Sequence, residues 1–201
     1  MGTKQIDPHA FSSLVCRFSV SWLNSKLWFA RNEKTYKKGK QSYQLEQSAK
    51  RRKMTLAMVD VSDKAEIFRE ATALGTIKLK PETIGLIKAG KIAKGDPLYT
   101  AKIAGVLAAK KTSSLIPLCH PLPLTNVQVD VKVSGEGSVE VSATVKAKAQ
   151  TGVEMEALAA VSMGLLTVWD MTKQYEKDAA GQYPSTAIEN IHVVRKFKQQ
   201  V

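Results

Sequence analysis

Near the C-terminal third of the chain, Asp170 and Lys173 stand three residues apart in a strongly apolar helical stretch. That spacing makes them neighbours on one helix face. The plain reading is an ion pair at the surface, worth a few tenths of a kcal/mol. The sharper reading is an acid/base pair beside a cleft, in which cations and desolvation lower the lysine pKa while Asp170 raises it. Spacing alone favours the plain reading. His120 lies between Cys119 and Pro121 in Leu115–Leu124, which Pro117, Pro121 and Pro123 bar from forming a long helix. In an extended segment adjacent side chains diverge. Cys119 facing the core would put His120 on a cleft or in solvent, and the divergence argues against a Cys–His nucleophile or a shared metal. Glu154 and Glu156 open the last helix. Thr151-Gly152-Val153-Glu154 has the pattern of a capping box, which would make Glu154 structural. Glu156, set among Met155, Ala157 and Leu158, needs a partner or a ligand if it is buried. Lys94, Lys110 and Lys111 flank another helix and suit phosphate, but no phosphate-binding glycine loop accompanies them.

These residues need a frame. Phe68–Lys80 reads as a strand. Pro81-Glu82 opens a short helix that Gly90 ends, and Asp96-Pro97 starts a second helix with an N-cap and a proline at N1. The second helix runs to about Ser113 and is rich in Ala and Gly, so it can approach a neighbour closely. Val127–Val133 alternates as a strand with one wet face, Gly135-Glu136-Gly137 turns the chain, and Val139–Ala149 returns. A long helix spans Thr151 to about Asp178, and a last strand Ile188–Phe197. The order β-α-α-β-β-α-β predicts an α+β fold, a ferredoxin-like antiparallel sheet with helices packed on one face.

The chain has 201 residues, 44% of them hydrophobic and 24% charged, with only two cysteines. That composition excludes a disordered chain, a fibre and a disulfide scaffold, and two cysteines suit a reducing compartment. The net charge of +12 is uneven. Residues 1–53 hold 12 Lys+Arg against 3 Asp+Glu, and residues 54–201 hold 18 against 15. Two parts are therefore expected: a basic N-terminal extension over 1–53, poorly ordered, and a near-neutral body over 54–201. Three readings fit the extension: a poorly ordered extension or upstream sequence included by a generous start site, an organelle transit peptide, or a basic arm touching RNA or membrane. Its apolar stretch Phe11–Ala30 is interrupted by Arg17, Asn24 and Lys26 and is too broken to span a membrane. Nucleic acid is not the expected partner of the body, whose strand Asn126–Val133 lacks the aromatic residues that stack bases.

Together the pieces are far more specific. The strings MVDVSDKAE from Met58, KGD from Lys94, TAKIAGVLAAKKT from Thr100, LIPLCHPLPL from Leu115, TGVEMEAL from Thr151 and WDMTKQYEKD from Trp169 resemble the MoaC family of molybdenum-cofactor biosynthesis over residues 58–198. The final strand at HVVRKFK resembles the family's archaeal branch. The resemblance implies a lyase that converts 3′,8-cyclo-7,8-dihydroguanosine 5′-triphosphate, made by a radical-SAM GTP cyclase, to cyclic pyranopterin monophosphate and pyrophosphate. It implies Asp170 and Lys173 as the catalytic pair, and Leu118, Cys119, His120, Met155, Glu156, Lys94 and Arg69 as substrate-binding residues. It also implies a cytoplasmic homohexamer, a trimer of dimers whose pockets are each completed by two subunits. Thr172 stands where some members have a cysteine. Mg2+ could accompany the substrate triphosphate, although the sequence offers no carboxylate cage for a resident metal.

Overall fold

A computed structural model describes residues 56–200. The expectations for residues 1–53 lie outside the described residues. The elements run β1 (Ile67–Lys78), α1 (Pro81–Lys88), α2 (Pro97–Lys110), a single turn α3 (Thr112–Leu115), β2 (Leu124–Ser134), β3 (Ser138–Ala149), α4 (Glu154–Glu176) and β4 (Ala187–Gln199). The strands form one antiparallel sheet in the order β2-β3-β1-β4. With α2 and α4 against one face, this is the ferredoxin-like arrangement that the element order predicts.

Alternation builds the core. In β1, Ala71, Ala73, Gly75 and Ile77 are buried, and in β3 the same holds for Val139, Val141, Ala143, Val145 and Ala147, while the even-numbered residues between them stay half-exposed. The buried set meets Ala157, Ala160, Val161, Leu165 and Val168 of α4. Small side chains on both sides let the helix lie close to the sheet. The α2–α4 approach depends on Gly105, where a Cβ would stand 3.0 Å from the Ala160 carbonyl oxygen. Burial of a residue such as Leu165 contributes about 1.5–3 kcal/mol, so this layer fixes α4 as a rigid rod behind the sheet.

The local signals behave as their chemistry requires. Asp96 caps α2 by accepting from the Leu98 and Tyr99 amides at 2.9 and 3.1 Å, with Pro97 at N1. The predicted capping box of α4 does not form. The N-cap is Val153, without a side-chain cap bond, and Glu154 forms an ion pair with Lys196 of β4 instead. The helix begins too late for Thr151 to reach its free amides, and a lysine across the fold outcompetes the local bond. The last strand extends past Phe197 to Gln199, because β1 offers it partners as far as Phe68.

Candidate active site

The first turn of α4 forms one wall of a cleft of about 330 Å³ whose other walls are the histidine loop and the segment around Val59. A turn closed by the Cys119 amide on the Ile116 carbonyl, at 3.0 Å, bends that loop. Cys119 and His120 therefore both border the cleft with Leu118, rather than diverging as an extended segment would require. His120 Nε2 lies 2.8 Å from the Val59 carbonyl oxygen. A carbonyl only accepts, so Nε2 carries the hydrogen and Nδ1 is left to receive one. Burial, with the nearby charge of Glu156, pushes the Cys119 thiol up from its ordinary value and keeps it protonated.

Glu156 is the unusual group of this end. It is 4% exposed, its Oε2 has no hydrogen-bond partner, and burial raises its pKa above the ordinary carboxylate value. An orphaned buried carboxylate bordering an open cleft is a demand for a donor. Met155, its neighbour, is partly exposed and links this cleft to a second, basic concavity of about 570 Å³. Arg69 borders that concavity, with its guanidinium tied to the Ala149 and Gln150 carbonyls at 2.8 and 2.9 Å. Lys64, Lys196 and Lys198 join it there. Sequence reasoning missed those three. Lys196 and Lys198 share a strand face, but the pairing that sets Lys198 opposite Arg69 is invisible until the sheet is assembled.

The other end of α4 carries Asp170 and Lys173. Lys173 Nζ lies 2.7 Å from Asp170 Oδ1. Lys94, from the loop between α1 and α2, lies 2.7 Å from Oδ2 and donates to the Asp170 main-chain carbonyl at 2.9 Å. Bracketed by two ammonium groups, first Lys173 and then Lys94, Asp170 is lowered to about 2. Asp170 in turn raises Lys173 above the ordinary lysine value. Of the two opposed influences on this lysine, the carboxylate wins. Trp169 and Tyr183 pack beside the pair with ring centroids 5.7 Å apart. Below it, the buried Glu176 carboxylate accepts from the Lys80 amide and from Thr186 Oγ1, which secures the chain on either side of the helix end.

One chain does not bring all of these residues together. Glu156 and Asp170 are fourteen residues apart on one continuous helix, hence about 21 Å apart along its axis. Leu118, Cys119, His120, Met155 and Glu156 gather at one end with Arg69 adjacent, and Lys94, Asp170 and Lys173 gather at the other. Among the described residues no three of His, Cys, Asp and Glu are placed to hold a metal ion, and no helix is long and apolar enough to cross a membrane.

The chain is 57% identical over 143 residues to a protein of Thermococcus onnurineus named probable cyclic pyranopterin monophosphate synthase, a match covering 71% of this chain and 91% of that one. A protein of the same name from Pyrococcus furiosus matches to the same extent. That of Sulfolobus acidocaldarius is 54% identical over 141 residues, 70% of this chain and 98% of its own. The family model described as MoaC matches residues 58–198, which contain both ends of α4 and every residue of the two clusters. The chain belongs to the MoaC family.

Proposed function

We propose that this protein is a cyclic pyranopterin monophosphate synthase. It is a phosphorus–oxygen lyase of molybdenum-cofactor biosynthesis that converts 3′,8-cyclo-7,8-dihydroguanosine 5′-triphosphate to cyclic pyranopterin monophosphate and pyrophosphate. The observation that carries the chemistry is the Lys94–Asp170–Lys173 bracket. Rebuilding a purine-derived ring system requires repeated proton transfers at nitrogen and carbon, the work of a general acid/base. Lys173 enters as an ammonium, held so by Asp170, and its first role is to donate a proton. Asp170 is too weak a base to lead, and it orients Lys173. When a sugar hydroxyl attacks the α-phosphorus, the bond to the bridging oxygen breaks and pyrophosphate leaves. Lys94 and the basic concavity around Arg69 suit the charge that develops on the phosphates. Any Mg2+ would come bound to the triphosphate, and no step is routed through it.

His120 and Glu156 suit the base-derived rings. The orphaned Glu156 oxygen accepts from ring N–H and amino groups, Leu118 and Met155 provide apolar contact, and Cys119 acts as a wall and not as a nucleophile. The span between the two ends of α4 is too great for one small substrate, so a complete pocket takes its histidine loop from one subunit and its lysine–aspartate pair from another. A homohexamer built as a trimer of dimers meets that need. The substrate would come from a radical-SAM GTP cyclase, and the reading places the enzyme in the cytoplasm.

The test supplies the cyclised nucleotide to the full chain and measures pyrophosphate and pyranopterin. Mixing Lys173→Ala with Glu156→Gln chains tests the shared pocket. Each alone is impaired, and mixed assemblies regain about a quarter of the sites when each site draws on two subunits. Absence of regain would place both halves of a pocket on one chain and overturn the shared-pocket reading.

A further inference from the structure

Lys94 reaches Asp170 from outside α4, and something must hold it there. Its ion pair with Asp170 is weak in itself, because the two side chains are 43% and 56% exposed. The loop that carries it has a buried anchor in Ile92 and a turn in which the Gly95 amide donates to the Ile92 carbonyl at 3.0 Å, with Gly95 at φ 100°. A positive φ of that size suits glycine and re-aims the chain directly after Lys94. Between anchor and turn, the Ala93 amide donates to Tyr175 Oη at 2.9 Å. Ala93 is the residue next to Lys94, and Tyr175 lies two residues beyond Lys173 on α4.

The platform behind Tyr175 is stiff. Its ring packs against the core. Its carbonyl and that of Lys177 accept from Lys80 Nζ at 3.4 and 3.0 Å, while the Lys80 amide donates to the buried carboxylate of Glu176 at 3.1 Å. The last turn of a helix ordinarily frays because its carbonyls lack partners. Here Lys80 supplies partners for two of them, so the tyrosine hydroxyl is presented from a fixed site. Lys94 and Lys173 are thus referenced to the same helix end, one by covalent sequence and the other through the tyrosine.

We infer that Tyr175 is a positioning residue for the reaction, its hydroxyl holding the Ala93 peptide so that Lys94 is set on Asp170. This rests on the reading of Asp170 and Lys173 as the acid/base pair. Tyr175→Phe in the full chain removes one oxygen and keeps the ring. Turnover of the cyclised nucleotide is expected to fall about tenfold in kcat, with KM changed less than about twofold and an unchanged melting temperature. A structural role alone would not predict the next result. In a Lys94→Ala background, followed by single-turnover pyrophosphate release, Tyr175→Phe should cost less than about twofold, because the residue it positions is gone. Independent losses that multiply in the double variant, or wild-type turnover by Tyr175→Phe, would overturn the inference. Hydrogen exchange at the Ala93 amide separates this failure from failure of the synthase reading. Exchange that accelerates in Tyr175→Phe supports the clamp even in a chain that does not turn over the nucleotide. An amide equally protected in both removes the clamp whatever the activity.

Discussion

The two ends of α4 present the same functional group in opposite conditions. Glu156, at the N-terminal end, is buried, lacks a partner on one oxygen and is raised by desolvation. Asp170, at the C-terminal end, is exposed, bracketed by Lys173 and Lys94 and lowered to about 2. Burial penalises the charged form and neighbouring cations reward it. The first carboxylate is left wanting donors, which suits recognition of a ligand. The second is saturated with them, which suits holding an ammonium in place. On the proposed reading, one helix supplies a receiving end and a reacting end, about 21 Å apart, and a second subunit would bring a reacting end to a receiving end.

The largest effect expected falls on the reacting end. Lys173→Ala should lower turnover by about 10²- to 10⁴-fold, the range of a lost general acid/base, and Asp170→Asn should approach it. Neither should shift the melting temperature appreciably, because both side chains are solvent-exposed. The sign of the pH dependence also follows. A depressed carboxylate contributes its stabilising interaction fully above its ordinary value of 3.8, and loses it as the pH falls through about 2. Any acid limb in the pH–rate profile between roughly pH 5 and 7 must therefore survive in Asp170→Asn, and its disappearance there would refute the assignment.

Glu156→Gln should have the intermediate effect, with function and stability moving in opposite directions. Loss of the acceptor charge should lower kcat/KM roughly tenfold, whereas removing an unpaired buried carboxylate should stabilise the fold by about 1 kcal/mol. The raised acid contributes stability below its ordinary value of 4.5 and loses it as the pH rises through its folded value. The advantage of the glutamine variant should therefore grow with pH. Thermal melts at pH 4.5 and 8 check this, and an advantage that shrinks would mean that Glu156 has a partner.

Much of this contrast could be read from the sequence where its cause is local. The Asp170–Lys173 pair follows from helical spacing, the start of α2 from Asp96-Pro97, and the hairpin β2–β3 from alternation around Gly135-Glu136-Gly137. Glu156 was marked by its apolar neighbours alone. What sequence could not supply is contact across the fold. Lys94 meets Asp170 across 76 residues, and Glu154 leaves a sound local capping pattern for Lys196. The lysines around Arg69 meet it only through sheet pairing and loop placement. The sign at Lys173 depended on which of two opposed charges stood closer, a question of ångströms that residue order does not answer.

The smallest effect sharpens the receiving end. Cys119 borders the cleft beside His120, an arrangement that elsewhere can make a nucleophile. Two features argue against it. Burial and the Glu156 charge keep the thiol protonated, and a protonated thiol is a poor nucleophile. The His120 ring nitrogen that carries hydrogen is turned to the Val59 carbonyl, so the ring is oriented by a contact other than the sulfur, and among the described residues no hydrogen bond joins it to Cys119. Cys119→Ala should therefore change kcat by less than about threefold, and iodoacetamide should alkylate the native thiol more slowly than a free cysteine at pH 8. A loss above a hundredfold, with fast alkylation, would show a thiolate at work and would transfer the reacting role from the far end of α4 to the near one.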